Sequence, residues 1–327
     1  MRKIFLVALV VGSLIAVSVR VYRVHRSSPM AEAYAGSEGV TVWNSTAEVR
    51  TPITTLAYGQ PVQIDQRNGD MELIETAAKI RGWVSANSLL DASVWRDETQ
   101  LSNMTKVMPI QARGFTRVPS NLHTHPGRQE PVIAEALAQA PVLLLERKAV
   151  PYGGANSVGS GADRNNNGED WWLVRARLRN VGEVSGWVLG RFVDLDLPSP
   201  LAGYESSEDM KIVSWYEISH AVDASGGAKP EYLVTASRDG DGRPCDFTLL
   251  RVYTWSDSRQ RYETAFVEGG ICGSLPVQVT PARIPGGDAY FHFQNAGAAG
   301  TEPLEYKMQA TTVRRMGREM TNQKRRR

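Results

Sequence analysis

Gly82-Trp83-Val84 recurs as Gly186-Trp187-Val188, 104 residues further along the chain, and each triplet ends the same order of strand, turn and strand. Before the first triplet, Val40-Thr41-Val42-Trp43 is β-branched and aromatic, as strands prefer. Gly59-Gln60-Pro61-Val62-Gln63-Ile64 enters a second strand after a turn, and Asn68-Gly69-Asp70 is a hairpin signal. Met71-Glu72-Leu73-Ile74-Glu75 alternates apolar and polar residues with one slip at Ile74, and Leu89-Leu90 closes the unit. Before the second triplet, Val118-Pro119 starts the pattern, Pro131-Val132-Ile133 and Leu137 continue it, and Pro141 to Leu145 reads as a strand. Trp171-Trp172-Leu173-Val174-Arg175 is its hairpin partner, and Phe192 to Leu195 ends the unit. Two such blocks predict an internal repeat of small barrels or sandwiches.

Both blocks resemble the bacterial SH3-like family, whose pattern runs from an arginine- and proline-containing start through Gly-x-x-Val and Trp-x-x-Val strands to Gly-Trp-Val. The second block supplies Arg128, Val142, Trp171, Val174 and Gly186-Trp187-Val188 in that order, with Gln139 in place of the glycine. The first departs further, with Met71 where the hairpin tryptophan is expected. The resemblance covers 39–91 and 113–197. It implies modules that recognise a cell-wall peptide or a protein partner.

The predicted fold class is all-β: two small SH3-like β-barrels, then an antiparallel β-rich domain, with an N-terminal hydrophobic helix. Residues 31–38 and 92–112 read as linkers, and 148–170 as a long polar loop inserted in the second module. From Tyr204 to residue 316, six or seven strand-like runs predict an antiparallel sheet, a sandwich or a propeller-like blade set. Residues 317–327 read as a basic tail.

Arg2-Lys3 precede an apolar run from Ile4 to Val19. Within 1–30 this is either a signal peptide, with small-x-small sites at Ala31-Glu32-Ala33 and Ala33-Tyr34-Ala35, or an uncleaved membrane anchor through residues 4–19. Either reading exports the chain, leaving it membrane-anchored, periplasmic or extracellular. A net charge of +2 gives no field suited to nucleic acid. Cys245 and Cys272 are the only cysteines. In an oxidising compartment they would pair, closing a loop worth roughly 3 kcal/mol; in a reducing one they would be two small buried residues.

Tyr152, Trp171, Trp172 and Trp187 cluster around the second hairpin, with Arg191 just beyond it, and form the candidate ligand site. Trp171 and Trp172 are adjacent, so in a strand they face opposite ways. An exposed aromatic groove competes with full burial of both rings. Asp239, Asp241 and Asp246 are weak metal candidates, and a tight Asp-Gly turn explains them as well. Asp163 to Gly168 has alternate oxygen ligands, but the twelfth position is Val174, so an EF-hand fails. His123 and His125 have strand spacing for a metal pair without a third ligand, and His220 and His292 are solitary. No hydrolase, zincin or phosphate-loop motif occurs. The expectation is therefore a non-catalytic envelope binding protein without cofactor. The alternatives are a structural scaffold of an envelope complex, or a wall hydrolase with an unrecognised catalytic domain at 204–316.

Overall fold

A computed structural model describes residues 31–151, 168–207, 210–238, 241–297 and 300–317. The apolar run 4–19, Tyr152, Asp163 to Asn167, Asp239 and the basic tail lie outside the described residues. The protein is all-β, with three seven-stranded antiparallel sheets. It divides into a first unit ending at Arg96 and a second beginning at Asp97.

The first sheet contains β1 (Ala31–Ala35), β2 (Val40–Trp43), β3 (Pro52–Leu56), β4 (Pro61–Asn68), β5 (Met71–Thr76), β6 (Arg81–Ser85) and β7 (Leu89–Asp91). The second contains β8 (Ala112–Thr116), β9 (Ser120–His123), β10 (Val132–Ala136), β11 (Pro141–Pro151), β12 (Gly168–Leu178), β13 (Gly182–Leu189) and β14 (Val193–Leu195). Their orders are β3-β2-β6-β5-β4-β1-β7 and β10-β9-β13-β12-β11-β8-β14, one topology used twice. Details recur as well. The register slips between Ile64 and Gln66 in β4 and between Leu144 and Glu146 in β11. A 3-10 turn precedes the last strand of each sheet, at Ala86–Ser88 and Gly190–Phe192.

The repeated glycine has a steric cause. A Cβ on Gly82 would lie 2.5 Å from Val42 Cγ1 and 2.7 Å from the Trp43 carbonyl. One on Gly186 would lie 2.8 Å from Leu122 Cβ. Only glycine lets β6 and β13 run this close to β2 and β9.

Residues 31–38 are not a linker. β1 lies between β4 and β7 and buries Ala33 and Ala35. Alanine is a poor strand former in isolation, but small side chains suit an inward position in a narrow core. The first sheet therefore begins before residue 39. The 92–112 linker is also corrected: Ala92–Thr105 is a helix, α1. Its buried positions Glu98, Leu101 and Thr105 are spaced by three and four, one helical face. The stripe holds a single large apolar residue, too little for a helical pattern to show.

The third region is neither a sandwich nor a blade set. Its sheet runs in chain order from β15 to β21: Lys211–Val222, Ala228–Ser237, Phe247–Ser256, Arg261–Thr280, Asp288–Gly297, Gly300–Gln309 and Thr312–Arg315. A short helix, α2 (Ser199–Ser207), precedes it, and Leu201 packs with Ile212, Tyr232, Val234 and Tyr253. Stacked Phe291 and Tyr306, with centroids 5.0 Å apart, help fill another part of the core. Cys245 and Cys272 are joined by a disulfide between the segment entering β17 and β18.

Within the second unit, Arg147 of β11 joins the second sheet to the third. Its side chain, only 5% exposed, donates to Asp170 Oδ1 at 2.5 Å and to Asp246 Oδ1 at 3.0 Å. It also donates to the Arg243 carbonyl at 3.2 Å. Asp170 Oδ1 accepts from Gly242 N at 2.7 Å, and Asp246 Oδ2 from Leu275 N at 2.7 Å. Beside this network Gly168 and Gly242 meet backbone to backbone, since a Cβ on Gly242 would lie 2.6 Å from Gly168 O. Gln111 makes a second bridge, its Oε1 accepting from Tyr216 Oη at 2.6 Å and Val277 N at 2.8 Å.

Substitutions at three positions probe these constraints. Gly82→Ala is expected to lose about 2–3 kcal/mol by overpacking. Exposed Gln139 holds φ +63°, where Gly59 sits at +73° in the first sheet. Gln139→Gly is expected to gain about 0.5–1 kcal/mol by removing left-handed strain, less the extra chain entropy of glycine. Urea titration of each variant checks both. Arg147→Ala leaves two buried carboxylates uncompensated and is expected to cost about 3–5 kcal/mol, with Arg147→Lys losing less. Thermal unfolding measures this, and an unchanged midpoint for Arg147→Ala would refute the network's role.

Candidate functional site

The outer face of the second sheet carries an open groove of about 380 Å³, at the lower end of the range for small-ligand sites. Its floor is His123, Trp171, Leu189 and Phe192, and Pro119, Asn121, Arg128 and Glu135 form the rim. Strand pairing places these groups. Trp171 lies opposite Leu189 across β12 and β13, and His123 lies opposite Trp187 across β9 and β13. Phe192 comes from the 3-10 turn that follows β13.

The floor is rigid. Trp171 is buried, and His123 meets its ring edge-on, 5.3 Å between centroids. His123 Nδ1 lies 2.8 Å from the Glu130 carbonyl, so a proton on Nδ1 is donated to that oxygen. Ser120, also in the wall, donates Oγ to the Val118 carbonyl at 2.8 Å. Both polar groups are thus held by backbone oxygens. The site offers an aromatic surface with fixed charge at its edge.

That charge is organised around Glu169, itself buried at the start of β12. Arg128 binds its carboxylate with both arms of the fork, Nε to Oε2 at 2.8 Å and Nη2 to Oε1. Arg191 approaches to 3.6 Å and lies over the Phe192 ring. The Arg128 hydrogen bond holds the Glu169 carboxyl below the ordinary glutamate value of 4.5, against the opposing effect of burial.

The sequence-predicted residues part company here. Trp171 forms the groove floor. Trp172 faces the other way, beside Arg147, Asp170 and Gly190, and is buried. Trp187 is buried among Leu101, Leu145, Leu173 and Leu189, with Lys148 Nζ 5.0 Å above its ring. Arg191 is exposed and lies beside Glu169. Trp171, Trp172 and Trp187 are all buried, so the groove is aromatic only along its floor. Leu189, Phe192, Glu135 and Glu169 were not singled out by sequence. The signal for Glu169 was slight, one acid just before the paired tryptophans.

The metal candidates have other partners. Asp246 serves Arg147 and Leu275, and Asp241 pairs with Lys211 Nζ at 3.0 Å. His125 is exposed, with Nδ1 3.1 Å from Thr124 Oγ1. Among the described residues, no group of three His, Cys, Asp or Glu side chains is placed to hold a metal ion. No helix among them is long and apolar enough to cross a membrane.

No family model matches the chain, and no curated protein matches it. Among solved structures, the structure of NlpC2 from Trichomonas vaginalis aligns with 50% of this chain at 13% identity and a TM-score of 0.17. The chain covers 47% of that protein, under half its length. So poor a superposition carries no argument about fold or function.

The Glu169 clamp has a pH consequence. A carboxyl held below its unfolded value contributes stability above pH 4.5 that is lost as pH falls through the lowered folded value. Arg128→Gln is expected to raise the Glu169 pKa towards 4.5 and to flatten the acid limb of the stability profile. Carboxyl-carbon NMR titration measures the first, and unfolding at a series of acidic pH values the second.

Proposed function

We propose that the protein is a non-catalytic, exported envelope protein whose first two sheets are SH3-like modules, and that the groove of the second module binds a cell-wall peptide or a peptide segment of an envelope protein. The observation that carries this reading is the groove itself. Its floor is the tryptophan that heads the Trp-x-x-Val strand in the family resemblance, and it lies beside the Gly-Trp-Val strand. An aromatic floor and a charged rim suit a short peptide, since apolar side chains fill the floor while amide and charged groups meet the edge. The shared strand order, the matching register slips and the glycine at each close approach support treating the two sheets as one module used twice.

Residues 4–19 serve as a membrane anchor in this reading. Both small-x-small sites fall in β1, whose residues pair with β4 and β7. Cleavage there would remove part of a strand paired on both sides, which favours the uncleaved form.

The groove reading is tested by sedimentation of the detergent-solubilised full chain with purified peptidoglycan. Retention is expected, and Phe192→Ala, which removes part of the groove floor at a partly exposed position, is expected to weaken it about ten-fold. No retention, or equal retention of the variant, would sink wall binding through this groove.

A further inference from the structure

The two copies of the repeated sheet differ in what lies on their outer faces. In the first, Trp43 pairs with Trp83, and Trp83 pairs with Leu73. Directly opposed residues share one face of a sheet, so these three form a continuous apolar row across β2, β6 and β5. All three are partly exposed. In the second copy the same positions hold His123, Trp187 and Leu173, and all three are buried. The difference has a visible cause. Leu101 of α1 belongs to one hydrophobic cluster with Trp187, Leu173, Trp171 and Leu189, with Met108 against it, and Thr105 Oγ1 bonds Ser185 Oγ at 2.7 Å. A helix covers the second face.

From this internal comparison we infer that the outer face of the first sheet is a docking surface for an amphipathic helix of a protein partner. The second copy shows what this topology accepts there: one helical stripe with an apolar anchor over the Gly-Trp-Val tryptophan and its neighbouring leucine. The first copy keeps the aromatic and aliphatic receptor and adds a cation. The Arg50 guanidinium lies 4.6 Å over the Trp43 ring, with Nη1 3.8 Å from Met71 Sδ. Arg50 is exposed and has no carboxylate partner among the described residues. The partner helix therefore carries apolar residues three and four apart and an acidic side chain that meets Arg50. This surface is separate from the groove of the second sheet and does not depend on wall binding there.

Photo-crosslinking of the full chain in the cells that make it tests the inference. Benzoylphenylalanine replaces Trp83 in one variant and the exposed Gln66, opposite Leu73 at the end of the row, in another. The second keeps the test valid if the first folds poorly. The expected result is an adduct with one other polypeptide, mapped by peptide mass spectrometry to a helical segment with that apolar spacing and a nearby acid. Arg50→Glu in the same background is expected to cut adduct yield about five-fold. Adducts only with a second copy of this chain, with glycan, with lipid or with an irregular segment would overturn it. So would no adduct, or a yield indifferent to Arg50→Glu. Phe192→Ala leaves cross-linking unchanged, so failure of this surface and failure of the groove are told apart.

Discussion

The second unit depends on one buried cation with two acidic partners. Arg147 sits on β11, Asp170 on β12 and Asp246 on the approach to β17, so the guanidinium is shared by two sheets. Each charge is costly to bury alone, and here each meets an opposite charge and at least one backbone group. Burial pushes the Asp246 carboxyl up even so, the Arg147 and Leu275 hydrogen bonds opposing that effect. The geometry also explains its glycines: Gly168 and Gly242 let two backbones touch beside the ion network, and the Gly242 amide reaches Asp170. Gly242 and Asp246 thereby serve as the third sheet's contact with the second.

The repeated sheet shows how one topology accepts two environments. Its inner faces are alike: Val42, Val62, Ile64 and Val84 in the first, Leu122, Val142, Leu144 and Val188 in the second. Its outer faces diverge by a few substitutions. Met71 and Asp65 stand where Trp171 and Leu145 complete a second apolar layer, and that layer receives Leu101 of α1. The groove floored by Trp171 is the part of the second outer face lined by His123, Leu189 and Phe192. The two copies thus differ at the surface while their inner packing is alike.

Much of the architecture was legible along the chain, because strands write period-two alternation and glycine where backbones approach. The Gly-Trp-Val triplets, the hairpin at Asn68-Gly69 and the runs from Lys211 onward all became strands and turns. What escaped was written in small or polar residues. β1 is Ala-Glu-Ala-Tyr-Ala, and α1 buries one leucine, so neither carries enough apolar signal to be seen locally. Of the candidate site, Trp171 and Arg191 were legible as members of an aromatic and basic cluster. Glu169, Leu189 and Phe192 were not, since an acid, a leucine and a phenylalanine near a strand end look alike whether they line a groove or fill a core.

By itself the sequence determined an all-β chain with a repeat and the inward side of most strands. These are local matters of side-chain period and of recurring motif. Tertiary structure alone decided which tryptophan floors a groove and which is sealed under a helix, and that Asp246 answers an arginine 99 residues earlier. Those outcomes depend on which face another element covers and on charges brought together by sheet packing, and neither leaves a mark in the spacing of residues along the chain.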